Sequence, residues 1–129
     1  MKESYKKYFP LPNEIFSLNL CPGEIAVYSY LLYCEDRKTY QCYPSYKTIG
    51  QAVGMSTNTV QKYIFELADK GFITIEPTSI ITKSGQKRNG SHRYTIQPIQ
   101  EVVELYHQRQ LRRMEQNLAR SRIAQQRAV

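Results

Sequence analysis

The 129 residues suffice for one packed domain with an appendage and leave no room for two independent cores. Hydrophobic residues make up 41%, which excludes general disorder, and 18 Lys and Arg against 11 acidic residues leave a formal charge of +7 that favours a polyanionic partner such as a nucleic acid. No stretch reaches the roughly 18 apolar residues of a membrane span, and the opening MKESYKKYFPLP lacks the apolar centre of a signal peptide, so a cytoplasmic protein with no membrane role is expected.

Taken in order, residues 1–9 are polar and basic, with Lys2, Lys6 and Lys7 interleaved with Tyr5 and Tyr8. Pro10 and Pro12 then interrupt regular structure, and the segment reads as a flexible arm. Residues 10–98 carry the signals of a single domain, and residues 99–129 those of a separate helix. Pro22 suits the first position of a helix running to about Cys34, with Glu24 in its positive first turn. Ile25, Ala26, Val27, Tyr28, Tyr30, Leu31, Leu32 and Tyr33 make that helix apolar almost all round, the pattern of a central core helix. Gln41, Cys42 and Tyr43 give a short strand signal that Pro44 ends. The three cysteines, Cys21, Cys34 and Cys42, form no C-x-x-C pair, and His92 and His107 lie far from them. No metal site and no cofactor are expected, and the thiols read as reduced and mostly buried.

From Pro44 to Gly71 the chain predicts two short helices joined by a tight turn. Ser45 caps the first helix, and Ile49 and Val53 place apolar side chains four apart on it. Gly54 follows where a left-handed backbone is needed, Met55 puts a hydrophobe in the corner, and Ser56 caps the second helix. Val60, Ile64 and Leu67 form one buried stripe, which leaves Thr57, Asn58, Thr59, Gln61 and Lys62 off it. A polar outward face on the second helix is not required by hairpin packing; it suits the reading of base edges. Ser45, Tyr46 and Lys47 at the first helix start are candidates for phosphate contact.

Phe72, Ile73 and Ile75 begin a strand that runs to Pro77, and Arg93 to Gln97 forms a returning strand with Tyr94 and Ile96 alternating. Between them no acidic residue occurs, and the tip combines Gly85 and Gly90 with Lys83, Lys87, Arg88 and the neighbouring Arg93. A cationic hairpin of this kind suits contact with phosphates. After Pro98 a long helix is predicted from Ile99 to about Gln126. Its start is apolar, and Leu111, Met114 and Leu118 continue at spacings of three and four, the pattern of a helix packed on a second copy. A homodimer through this helix is expected, the alternative being a helix that folds back through Val102, Val103 and Tyr106 and ends as a solvated basic tail. Beyond Leu118, Arg120, Arg122 and Arg127 suit either a fraying end or an additional phosphate contact.

Ile49, Gly50, Val53, Gly54, Met55, Val60 and Ile64 match the apolar and small positions of helix-turn-helix domains, and ELADKGFITIE with the basic loop and YTI resembles the winged form of the motif. The stretch from Leu11 to Glu76 is similar to helix-turn-helix proteins of Gram-positive bacteria and their mobile elements, related to plasmid replication-initiator DNA-binding domains. Gly50 departs from the alanine common at its position, and Cys21 from the usual Ser or Thr cap. The resemblance implies a mostly α fold with a small β-hairpin wing, α+β in class, followed by the long C-terminal helix.

The expected function is sequence-specific binding of double-stranded DNA, as a transcriptional regulator or, alternatively, as a plasmid or mobile-element replication-initiation or maintenance factor. No enzyme is expected: the chain holds no P-loop, no H-E-x-x-H and no G-x-S-x-G. Eleven tyrosines without a metal-binding His cluster read as core and surface aromatics, not as a nucleophile of the relaxase kind. A winged helix used for protein docking, or an RNA binder, stays open as another class.

Overall fold

The computed structural model describes residues 7–81, 85, 87–89 and 92–127. Its elements are α1 (Pro22–Cys34), β1 (Gln41–Cys42), α2 (Tyr46–Val53), α3 (Thr57–Asp69), β2 (Ile73–Glu76), β3 (Ser79–Ile81), β4 (Lys87–Asn89), β5 (Arg93–Ile96) and α4 (Ile99–Arg127). The expected arm at residues 1–9 falls mostly outside the described residues. The fold is a winged helix-turn-helix of the α+β class, extended by the long helix α4.

A short 3-10 helix, Asn13–Ser17, follows Pro12 in a stretch to which the sequence pattern assigns no element. It carries Ile15 into the core, with Leu18 just behind it, and this burial fixes a turn too short to show periodicity. The segment between the two predicted strands is a hairpin, as expected, with an outer pair of its own: β3 and β4 pair antiparallel, with Ser79 opposite Asn89 and Ile81 opposite Lys87. Pro77 interrupts the ladder between this outer pair and the inner sheet, since it has no amide to donate.

The inner sheet has the order β1-β5-β2, antiparallel throughout, with Gln41 opposite Thr95 and Ile73 opposite Ile96. Helices α1, α2 and α3 pack on it around one core. Val27, Tyr28 and Leu31 come from α1, Ile49 from α2, and Val60, Ile64 and Leu67 from α3; Phe72, Ile73 and Tyr94 close it from the sheet side. The Tyr28 and Phe72 rings meet edge to face with centroids 5.0 Å apart. Each fully buried Val, Leu or Ile contributes about 1.5–3 kcal/mol relative to exposure, so the α3 stripe is a main source of the domain's cohesion.

A second tie joins α1 to the end of α3. Glu24, almost wholly buried, accepts from the Cys21 amide at 3.2 Å and so closes the start of α1 in place of a hydroxyl cap. Its two oxygens also take the Lys70 ammonium at 2.9 and 2.8 Å. Burial pushes the Glu24 carboxyl up, but the bonds from Lys70 and Cys21 outweigh it and hold the pKa below its ordinary value. Asn19, with its backbone in the left-handed region, adds its carbonyl to Lys70 at 3.3 Å.

Helix α4 docks through Val102, which is buried, and through Ile99, Val103 and Tyr106, which pack against the core. From Leu111 to Arg127 every residue is exposed, so the helix leaves the domain after its third turn. At 1.5 Å per residue it is about 43 Å long.

Candidate nucleic-acid interface

The geometry of the interface begins with two serine caps. Ser45 Oγ accepts from the Thr48 amide at 3.1 Å, and Ser56 Oγ accepts from the Thr59 amide at 3.3 Å; each serine is also 2.9 Å from the hydroxyl of the same threonine. Between them Gly54 takes the left-handed backbone, φ 74°, that ends α2, and the amides of Gly54 and Met55 both donate to the Gly50 carbonyl, at 2.8 and 2.9 Å. The turn is therefore held at a fixed angle by its own backbone bonds. At the other end of α3, Gly71 (φ 86°) and Phe72 return bonds to Ala68 and Leu67, the paired closure that a glycine after a helix permits.

With Val60, Ile64 and Leu67 turned inward, the opposite side of α3 carries Asn58, Lys62, Phe65 and Asp69 at spacings of four, three and four. All four are exposed, as are Thr57 and Gln61 on the flank. The structure thus brings Asn58, Gln61 and Lys62 together on one solvent face, as the sequence pattern predicts. Thr59 is drawn toward the Ser56 cap and is only partly accessible. Lys62 Nζ lies 5.5 Å from the Tyr63 ring centroid, which steadies the long side chain beside the helix. Phe65, 51% exposed, was not among the expected residues. Its place three residues after Lys62 and off the buried stripe is the signal that would have found it.

The residues proposed for phosphate contact divide into free and engaged ones. Lys47 is exposed at the start of α2. Tyr46 instead turns toward the wing: its hydroxyl is 3.4 Å from His92 Nδ1, and its ring meets the His92 ring edge to face at 5.8 Å. His92 in turn meets Tyr94 at 6.3 Å, so these three rings tie the first helix of the motif to β5. Burial raises the pKa of both tyrosines. Arg93 forms an ion pair with Glu76 across the β2–β5 ladder, which neutralises part of its charge. Lys87 and Arg88 lie on β4, and Lys83 lies outside the described residues.

Leu111, Met114 and Leu118 stand 59%, 60% and 57% exposed on α4, uncovered by the other described residues. For metal chemistry the only nearby donors among the described residues are Cys21, Glu24 and Glu66. Glu24 there is already engaged by Lys70 and the Cys21 amide, so this cluster reads as an ion pair. Among the described residues no helix is long and apolar enough to cross a membrane.

Residues 18–73, which hold α1, β1, α2 and α3, match a family model described as a helix-turn-helix domain. Among solved structures the chain is similar to a protein described as a possible transcriptional regulator from Methanosarcina mazei Go1. The TM-score is 0.52 at 18% identity, over 81% of this chain and 82% of that one, a likeness of fold. No curated protein matches the chain.

Proposed function

We propose that this chain is a cytoplasmic regulator that binds double-stranded DNA with sequence preference, through α3 in the major groove and the wing on the phosphate backbone, and that it makes or breaks no covalent bond. One observation carries the reading: α3 presents Asn58, Lys62 and Phe65 in line, on a face that no other element among the described residues covers, while the turn before it is locked. Asn and Gln pair bidentately with adenine, Lys reaches guanine or phosphate, and an aromatic ring meets the thymine methyl group. The match to a helix-turn-helix family model and the charge of +7 support it.

A gel shift with random-sequence duplex at low salt tests the class of partner. Retardation of duplex DNA is expected; retardation of RNA alone, or of another protein alone, sinks the reading. Selection of bound duplexes from a random pool then separates the roles. An inverted repeat overlapping a promoter supports transcriptional control, and direct repeats would favour replication control.

The proposal includes a homodimer through α4. Leu111, Met114 and Leu118 form an exposed apolar strip, and two tethered domains would reach two half-sites with a large gain in effective concentration. Sedimentation of the intact chain should give a dimer at tens of micromolar, and a chain ending at Gln108 should give a monomer. An intact chain that sediments as a monomer contradicts this part of the proposal.

A further inference from the structure

Helix α4 has two unlike faces once it leaves the domain. Arg109 stands seven residues after the buried Val102, and Arg113 stands seven after Tyr106; Arg120 and Arg127 repeat the interval. Seven residues are nearly two full turns, so the face that docks on the core becomes, further out, a stripe of arginines. Leu111, Met114 and Leu118 sit roughly 100–160° around the helix from this line. The apolar strip and the arginine stripe are therefore separate surfaces.

The stripe starts beside the proposed reading helix. Arg109 Nη1 donates to the carbonyl of Asp69, the last residue of α3, at 2.8 Å, and Arg113 lines the same small cleft as Asp69 and Lys70. From Arg113 outward the charge has no carboxylate partner among the described residues: none lies within ion-pair distance of Arg113, Arg120 or Arg127. The only acid in this part of the helix, Glu115, is on the other half of its surface.

We infer that this stripe lies along the phosphate backbone of the same duplex, outside the bases that α3 reads. The inference rests on the DNA-binding reading above and adds a second, sequence-independent contact to it. Arginine at a repeat of seven suits a polyanion whose charges recur along a line, and from Arg113 to Arg127 the stripe spans about 21 Å. That is roughly six base pairs at 3.4 Å per step. A protein ligand would need a cluster of apolar anchors among the arginines; Leu111, Met114 and Leu118 lie on the other face, which leaves Ile123, beside Arg120 and Arg127, as the one large exposed apolar side chain there among the described residues.

The test uses the full chain on two random-sequence duplexes, one of about 40 base pairs and one of about 8, too short to underlie both α3 and the stripe. Affinity is measured across salt for the parent, for Arg113→Gln/Arg120→Gln/Arg127→Gln, and for the matching triple Lys variant. On the long duplex the Gln variant should show a log affinity versus log salt slope shallower by up to roughly 2.7, at about 0.9 for each phosphate left without its arginine. The Lys variant should keep the parent slope, and on the short duplex all three should agree. Sedimentation should be unchanged by either triple variant, because the strip is untouched. If the parent binds the long duplex and the Gln variant keeps its slope, the stripe is overturned and the DNA reading stands. If the parent binds no duplex, both fall.

Discussion

Replacing Gly50 with alanine sets two opposed effects against each other at the turn that aims α3. Inside a helix alanine is favoured over glycine by about 1 kcal/mol, so propensity alone predicts a more stable protein. The structure predicts the reverse. A Cβ on Gly50 would stand inside 3.0 Å of the Met55 carbonyl oxygen, whereas ordinary contact begins at 3.4 Å. That oxygen belongs to the backbone of the turn and cannot rotate away as a side chain could. Relief requires the turn to shift, and with it the two amides bonded to the Gly50 carbonyl. Overpacking of this order costs about 1–3 kcal/mol, so after the propensity gain a net loss of about 1 kcal/mol is expected. Urea unfolding followed by circular dichroism measures it. With a denaturant dependence of about 1–3 kcal/mol per molar, the midpoint of Gly50→Ala should fall by roughly 0.5 M. A midpoint equal to or above that of the parent would refute the reasoning, since it would mean that the turn yields without cost.

Three further outcomes are expected. Glu24→Gln should destabilise the fold at neutral pH by about 1–3 kcal/mol, toward the low end because the Lys70 side chain is 33% exposed and partly screened by water. The Glu24 pKa is depressed on folding, so its contribution is present above the ordinary value of about 4.3 and lost as pH falls through the folded value. Urea midpoints of parent and variant should accordingly converge in acid, and a gap that stays constant to about pH 3 would contradict the assignment. Burial, with smaller effects from Cys34 and Glu35, pushes the Cys42 thiol up to about 12, so mass spectrometry after iodoacetamide at about pH 8 should find it unmodified until urea is added; labelling of native Cys42 as fast as of Cys21 would refute this. Lys87→Ala/Arg88→Ala should weaken binding to all duplexes alike and make the salt slope shallower by roughly 0.9 for each phosphate no longer neutralised, and an unchanged slope would mean that the wing stays in solvent.

What could be read from the sequence is what local chemistry dictates. Pro22, Ser45 and Ser56 announce helix starts because each acts within one turn of its own position, and Gly54 and Gly71 announce ends for the same reason. The α3 stripe of Val60, Ile64 and Leu67 is visible as spacing alone, and all three are fully buried. What escaped depends on distant partners. The Glu24–Lys70 pair and the Tyr46–His92 contact each join residues 46 apart, and the Glu76–Arg93 pair depends on strand register. The clash that makes Gly50 necessary comes from a carbonyl across the turn, so comparison with the common alanine could only mark the position as unusual. The hairpin is legible, but outer strands β3 and β4 have too little apolar alternation to mark their bounds. Phe65 escapes a search for polar side chains, although its position on α3 is already determined by the stripe opposite.

The most direct test of the central claim is the base preference of the intact chain, measured on a library of duplexes around its selected site, for the parent and for Asn58→Ala and Gln61→Ala. Each variant should lose discrimination at one base position by roughly 1–3 kcal/mol, about 5-fold to 150-fold, while binding to random duplex and the urea midpoint stay unchanged. A preference identical to that of the parent in both variants, with the fold intact, would contradict the account, because α3 would then not be the element that reads DNA.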